Sequence, residues 1–275
     1  MSLKTFAPSK LLAPYVTAIW DYEDLTGSDN NLMLSILPDT ATYLCFLYAD
    51  LLQTTHKGGV YTTRSGLAGF QSFRSDLGGL GKVSGVSARI TPWGLNVFRS
   101  GIVKDCAEKR VDCRDIFPRY SIEKIEDKLS NMRTAKERVQ CVEDFLLAIL
   151  NRDNEDLLIQ KACRDLSASN GNYPIRMLAR NLGLTERTFE RRFLNHVGAT
   201  PKKYARVVRL RNAIFQRKTL STWADVACAV GYYDQSHMIH DFQELYGISP
   251  ESLYPQIDVS QTIQFSGLLN LNQTA

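Results

Sequence analysis

The chain has 275 residues, of which 44% are hydrophobic and 23% are charged, and its formal net charge is +4. These values are typical of a globular protein of about two domains and exclude a disordered or fibrous chain. No stretch approaches the roughly 18 apolar residues of a membrane span, and the first residues lack the pattern of a secretory signal. The six cysteines are scattered without a Cys-x-x-Cys pair, which favours reduced thiols, so we expect a cytoplasmic protein that contacts no membrane.

The first part of the chain has the pattern of a β-rich domain. Short runs rich in apolar, aromatic and β-branched residues occupy 32–37, 41–48, 60–63 and 82–90. Turn formers separate these runs, and Gly78, Gly79, Gly81 and Gly85 fit hairpin turns. The pattern predicts a small barrel or sandwich over residues 1–118.

From Ser121 the apolar spacing becomes helical. Ile122, Ile125 and Leu129 begin the pattern, and a second stripe from Val139 repeats it. The spacing predicts two amphipathic helices over 119–154, which would couple two domains or dimerise. A polar break at 151–154 precedes a region, 155–256, that is helical throughout. The polar residues 257–275 are expected to form a loosely held tail.

The most specific signal is an internal repeat. Phe193, Gly198 and Pro201 recur 49 residues later as Phe242, Gly247 and Pro250. Gly183 recurs as Gly231, and each of these two glycines follows an apolar stripe that has an alanine four residues before it. Such a stripe followed by glycine predicts a helix that ends in a tight turn of positive φ. Each copy therefore predicts a helix-turn-helix unit. The stripes are Ile175, Leu178, Ala179 and Leu182 in the first copy, and Trp223, Val226, Ala227 and Val230 in the second.

The second helix of each copy would present polar residues to a partner. Thr185 and Asp234 are good N-caps for these helices. Phe189, Phe193 and Val197 should face the core in the first copy, as should Met238, Phe242 and Leu245 in the second. Arginine, glutamine, glutamate and isoleucine can each address a particular base edge in the major groove of DNA. The alternative is that the charges are solvated or paired along the helix. The candidate contacts are Arg187, Thr188, Glu190 and Arg191 in the first copy, and Gln235, Ser236, Ile239 and His240 in the second.

A basic segment joins the two copies. Residues 201–218 contain seven lysines and arginines and no acid, whereas residues 1–154 are nearly balanced, with 19 basic and 18 acidic residues. Pro201 fits the first turn of a helix about 27 Å long, which could set two helices in successive major grooves about 34 Å apart. Lys202, Lys203 and Arg206 are candidate phosphate contacts, although a merely solvated helix face fits the charge equally well.

Residues 155–255 resemble the DNA-binding domain of the AraC/XylS family of bacterial regulators. The resemblance rests on 177–193 and, above all, on the stretch from Gly231-Tyr232-Tyr233-Asp234-Gln235-Ser236-His237 to Ser249-Pro250. It implies a seven-helix double helix-turn-helix domain, and it places DNA contact on the matching residues: Arg187, Glu190, Arg191, Gln235, Ser236, Ile239 and His240. His240 stands where many members carry arginine. The N-terminal part is similar to a β-rich sensor domain of some members, around Leu37-Pro38-Asp39 and 85–93.

The sequence thus predicts an α+β protein: a β-rich barrel-like or sandwich-like domain, a helical connector and an all-α double helix-turn-helix domain. We expect a transcription regulator that binds double-stranded DNA, with RNA polymerase, a small-molecule effector and a second copy of the chain as candidate partners. A scaffold whose N-terminal domain binds a protein instead of a small ligand stays open.

An enzyme is disfavoured by the sequence. Residues 1–154 contain one histidine, His56, which is too few for a metal site of the cupin type. Cys106 and Cys113 lack a second pair and a base, so a metal-held nucleophile is not expected. No catalytic residue, metal site or cofactor is therefore predicted. The N-terminal aromatic residues either pack in the core or line a ligand pocket of unknown specificity, with Arg64 or Arg89 as anion anchors.

Overall fold

The computed structural model describes residues 2–23, 32–56, 59–79, 81–256 and 268–270. Two antiparallel sheets and three groups of helices build the molecule. None of the helices in these ranges combines the length and the apolar character that crossing a membrane requires.

The N-terminal region is a sandwich of two sheets. The first sheet has the strand order β1-β2-β9-β4-β7-β10 and the second the order β11-β3-β8-β5-β6, and every pairing is antiparallel. The predicted β-rich domain is confirmed, and it is an open sandwich rather than a closed barrel. The strands are β1 Ser2–Phe6, β2 Val16–Glu23, β3 Leu32–Ile36, β4 Thr42–Leu47, β5 Leu52–His56, β6 Gly59–Thr63, β7 Ser65–Ala68, β8 Ser75–Gly79, β9 Gly85–Ile90, β10 Arg110–Asp112 and β11 Leu268–Asn270.

The first sheet is covered on both faces. Trp20, Tyr22 and Cys45 point toward the second sheet, where they cluster with Leu77. The alternate residues of the same strands, such as Leu44, belong to a separate core that the connector helices complete. Because side chains alternate along a strand, one sheet serves two cores, which explains why β4 is almost wholly buried.

Three of the glycines expected in turns lie in strands instead. Gly78 and Gly79 end β8, and Gly85 begins β9. A Cβ at Gly85 would lie 2.7 Å from the Tyr22 hydroxyl oxygen and 2.8 Å from the Phe46 carbonyl oxygen. This glycine therefore permits a close approach of strands, which glycine in a strand often marks. Gly81 does lie in the loop between β8 and β9, with φ of +143°.

Two short helices, α1 Leu95–Phe98 and α2 Val103–Cys106, follow β9, and the connector forms α3 Arg119–Asn131 and α4 Ala135–Ala148. Ile122 and Val142 pack from α3 and α4 into the core beneath the first sheet. A buried ion pair also ties α4 to β2, because Arg138 Nε lies 2.6 Å from Asp21 Oδ2. Both predicted helices are present, and they lie directly on the sheet.

Residues 155–256 are all described, and they contain seven α-helices, as the family resemblance implied. One contiguous apolar core runs through them. The helices are α5 Leu157–Ala168, α6 Ile175–Asn181, α7 Glu186–Val197, α8 Pro201–Gln216, α9 Trp223–Ala229, α10 Gln235–Tyr246 and α11 Pro250–Leu253. Of the predicted tail, Leu268–Asn270 pairs with β3 as β11, and the other residues beyond 256 lie outside the described ranges.

The β-rich region is docked on α8. Phe70 joins the helical core and stacks on Tyr204, with ring centroids 6.4 Å apart. Beside this stack, the buried carboxylate of Asp39 forms ion pairs with Arg89 (Nη2–Oδ2 3.1 Å) and with Arg211 of α8. One carboxylate thus pairs with two guanidinium groups, one from each region. Because Asp39 already holds Arg89, this arginine is not a free anchor for an anion.

We expect the Asp39→Asn substitution to lower the free energy of unfolding by about 3 kcal/mol, since it leaves two largely buried arginines without their counter-charge. The surface pair Lys161–Asp165 provides the control, because Asp165→Asn should cost less than about 0.5 kcal/mol. Chemical denaturation of the three proteins measures both effects. Equal losses in the two variants would contradict the role given to Asp39.

A second prediction concerns the thiols. Cys228 is exposed and the other five cysteines are buried. Burial also raises the pKa of Cys106 to about 11, so its reactive thiolate is scarce at pH 8. We expect a thiol reagent at pH 8 to modify one cysteine rapidly in the native protein and none in Cys228→Ser. Rapid reaction of a second thiol would show that the cores are more open than described.

Candidate nucleic-acid interface

The first helix-turn-helix unit consists of α6 and α7. Gly183 lies in the turn with φ of +70°, which confirms the left-handed conformation predicted from the repeat. Thr185 caps α7, as predicted, because its Oγ1 accepts a hydrogen bond of 3.2 Å from the Thr188 backbone N–H. The cap satisfies one of the free amides at the start of α7 and fixes the direction in which the helix leaves the turn.

Helix α7 buries one face and exposes the other. Phe189, Phe193 and Val197 are buried, as the spacing predicted. Arg187, Glu190 and Arg191 are exposed and form no ion pair with a described residue. Thr188 differs from them, because it is half-buried and its Oγ1 accepts a hydrogen bond of 2.9 Å from the Thr185 hydroxyl.

Helix α7 is anchored to α5 by a contact that could not be predicted from the sequence. Asp156 caps α5 through two backbone amides, and its side chain also binds Arg192 of α7, with Nη2–Oδ1 at 2.9 Å. His196 Nε2 lies 3.5 Å from the same carboxylate. Asp156 is recognisable in sequence as a cap before an apolar run, but its partner is 36 residues away and no local pattern connects the two.

The second unit repeats this geometry in α9 and α10. Gly231 has φ of +81°, and Asp234 Oδ1 accepts a hydrogen bond of 2.7 Å from the His237 backbone N–H. Met238, Phe242 and Leu245 are buried, as predicted. On the opposite face of α10, the candidate contacts Ser236 and His240 are exposed, whereas Gln235 and Ile239 are half-buried.

Helices α8 and α10 are joined by an ion-pair network that could not be predicted from the sequence. Arg206 Nη2 lies 2.6 Å from Asp241 Oδ1 and 2.6 Å from Glu244 Oε2. Tyr232 donates a hydrogen bond of 2.8 Å to the other oxygen of Asp241, and burial raises the pKa of this tyrosine well above its ordinary value. His240, Asp241 and Glu244 present ligand atoms within 4.8 Å of one another, as a metal site would. Because Arg206 already forms ion pairs with both carboxylates, this cluster is better explained as an ion-pair network.

The three candidate phosphate contacts of α8 differ in what they touch. Lys202 is exposed and has no ion-pair partner among the described residues. Lys203 Nζ lies 2.6 Å from Glu108 Oε1 of the β-rich region, and Arg206 is held by α10. Helix α8 ends at Gln216, two residues before the predicted end, and is therefore about 24 Å long.

Comparison with known proteins gives a domain match and several structural neighbours. A family model described as a helix-turn-helix domain matches residues 178–254. No protein of curated function matches the chain in sequence.

The structural neighbours are of low sequence identity. ToxT from Vibrio cholerae aligns over 92% of this chain and 98% of its own, with 12% identity and a TM-score of 0.46. A transcriptional regulator with an AraC-type DNA-binding domain, from Chromobacterium violaceum, aligns over 36% of this chain and 91% of its own, with 22% identity and a TM-score of 0.34. A probable AraC family transcriptional regulator from Rhodopseudomonas palustris aligns over 36% of this chain and 96% of its own, with 20% identity and a TM-score of 0.33.

The matched range contains both left-handed glycine turns, both capped second helices and the helix between them. Two helix-turn-helix units in tandem are the arrangement that the sequence resemblance implied. Residues 178–254 therefore form a helix-turn-helix domain, which holds the second helices of both units and follows the β-rich N-terminal region.

Proposed function

We propose that the chain reads DNA by placing α7 and α10 in successive major grooves of one duplex. The observation that supports this most directly is that both helices bury one apolar face and leave the polar residues of the opposite face accessible. Helix α8 lies between them, since Tyr204 packs on Phe193 of α7 and Arg206 binds α10. Successive major grooves lie roughly 34 Å apart, which is the separation that the proposal requires of α7 and α10.

We assign base readout to the exposed and half-buried residues in the first half of each helix. Arg187 and Arg191 are suited to guanine, and Glu190 can accept a hydrogen bond from cytosine. In α10, Gln235 suits adenine and Ile239 suits a thymine methyl group, while Ser236 and His240 complete the surface. Thr188 is half-buried and its hydroxyl already accepts a hydrogen bond from Thr185, so it would contact DNA at most from the edge of the helix.

We assign phosphate contacts to α8, with Lys202 as the residue ready to make one. Lys203 and Arg206 belong to the same proposal, but each would first have to exchange a carboxylate of the protein for a phosphate. Docking of the β-rich region thus competes with DNA for Lys203. Such competition would let the N-terminal region lower or raise the affinity of the chain for DNA.

The remaining assignments follow from the division of the chain. We propose a sensor region at 1–118, a connector at 119–154 that couples or dimerises, a DNA-binding domain at 155–256 and a tail at 257–275. A small-molecule effector would act on the first of these, and RNA polymerase would be the partner of the DNA-bound chain in the cytoplasm. A groove of about 800 Å³ between α3 and α4 is the surface available to a second copy.

We expect Arg187→Ala and Arg191→Ala each to weaken binding to a selected DNA site by about 1–3 kcal/mol and to relax base preference at one position. Lys202→Ala should weaken binding about equally on selected and unrelated duplexes, because phosphate contacts carry no sequence information. Arg99→Ala, which removes an exposed charge of the N-terminal region, is the control. Competition binding with duplexes enriched from a random library measures all four variants. If every variant lost affinity equally on every duplex, the assignment of base readout to α7 would be wrong.

A further prediction tests the competition for Lys203. Glu108→Gln should free this lysine for phosphate and steepen the slope of log K against log salt by about one. Lys203→Ala combined with Glu108→Gln should remove this increase in the slope. Glu123→Gln removes an equal charge at an exposed position of α3 and should leave the slope unchanged. An unchanged slope in Glu108→Gln would show that Lys203 does not reach DNA.

A further inference from the structure

A cleft of about 360 Å³ opens where the edge strands of the two sheets, β6 and β10, meet at one side of the sandwich. Its walls include Thr62, Asp105, Lys109, Arg110 and Asp115. The volume is within the range of small-molecule sites. No residue of this cleft belongs to the proposed DNA interface.

Arg110 is the unusual residue of the cleft. Its exposed fraction is 7%, and its Nε and Nη2 have no hydrogen-bond partner among the described residues. It also forms no ion pair within the described part of the chain. A buried charge without a counter-charge is strongly destabilising, and an unsatisfied buried donor in a native protein calls for a specific explanation, such as a ligand or ion.

The fold makes room for this guanidinium. A Cβ at Gly66, in the middle of β7, would lie 2.7 Å from Arg110 Nε and 3.1 Å from its Nη2. Glycine inside a strand weakens the strand and often marks a close approach of another group. The chain therefore combines two unfavourable features, a strand glycine and an uncompensated arginine, at one point.

The charges around Arg110 indicate what could satisfy it. Asp112, two residues along β10, is already engaged by the Thr63 hydroxyl at 3.0 Å and by Arg114 Nη1 at 3.4 Å. Four other charged side chains line the cleft without an ion-pair partner among the described residues, two of them basic and two acidic: Lys109 and Arg110, and Asp105 and Asp115. A ligand that carried only negative charge would meet both free aspartates, whereas a zwitterion can satisfy both signs.

We propose that this cleft binds a small zwitterion of the size of an amino acid, with its carboxylate on Arg110 and its ammonium group toward Asp105 and Asp115. A hydrogen bond between a guanidinium group and a carboxylate is charge-assisted and therefore stronger than a bond between neutral groups. This ligand is the effector of the regulator, so the inference rests on the proposed function.

The segment that lines the cleft also touches the DNA-binding domain. Asp105, Lys109 and Arg110 line the cleft, whereas Ala107 and Glu108, two of the three residues between Asp105 and Lys109, contact the helical domain. A Cβ at Gly198, which ends α7, would lie 2.9 Å from the Ala107 Cβ, and Glu108 binds Lys203 of α8. The segment is therefore in direct contact with α7 and with α8. A ligand that draws Asp105 and Arg110 together acts on this segment.

The test is calorimetric titration of the full chain with each of the twenty amino acids. For the one that binds best, the matching amine without the carboxylate and the matching acid without the ammonium group are then titrated. We expect both half-ligands to bind at least about tenfold more weakly than the amino acid, because each loses a charge-assisted hydrogen-bonding group. Arg110→Met should weaken binding of the amino acid by about 30-fold or more, whereas Arg119→Met, an exposed arginine outside the cleft, should not change it.

A second variant covers the case in which Arg110→Met does not fold. Asp115→Asn should bring the affinities of the amino acid and of its ammonium-free analogue closer together, since it removes one partner of the ammonium group. Binding of no amino acid, equal binding of the half-ligands, or unchanged binding in Arg110→Met would each overturn the inference. DNA binding by the unliganded wild-type chain is measured alongside. If DNA binding is retained while no amino acid binds, only the ligand is wrong, whereas loss of DNA binding contradicts the proposed function itself.

Discussion

The burial of one apolar face on α7 and on α10 is the constraint on which the functional interpretation depends. Phe189 and Phe193 are fully enclosed in the helical core, as are Met238 and Phe242. Burial of this apolar surface fixes the rotation of each helix about its axis, since turning either helix would expose large side chains to water. The opposite faces are thereby held toward solvent, and their residues are the ones available to a duplex.

A second consequence concerns the charge of α8. The acid-free segment 201–218 suggested a face turned toward phosphates, yet several of its basic groups bind protein. Arg211 meets Asp39, Lys203 meets Glu108, and Arg206 meets α10. Through Arg211 and Lys203 the basic helix contacts the β-rich region, whereas Lys202 of the same helix is left exposed. Charge composition alone predicts a polyanion partner for a region, but it does not say which residues remain free to meet that partner.

The features predicted well from sequence are those specified by neighbouring residues. The apolar stripes, the caps Thr185 and Asp234, and the glycines that end the first helices depend on residues within about eight positions of one another, so their pattern is visible in the chain. Strand pairing is different, because β2 finds its partner β9 some 65 residues away, and the close approach of Tyr22 to Gly85 arises only from that pairing. The same holds for Asp39 with Arg211 and for Arg110 over Gly66. Buried ion pairs and unsatisfied groups arise from tertiary contacts that no local spacing encodes.

Missing-base interference on a selected duplex tests the central claim most directly, because the removal of single bases of any type maps the bases that the protein must reach. Insertion of α7 and α10 into successive major grooves predicts two clusters of interfering positions on one face of the duplex, about one helical turn apart. A single cluster, or two clusters on opposite faces, would contradict simultaneous reading by α7 and α10.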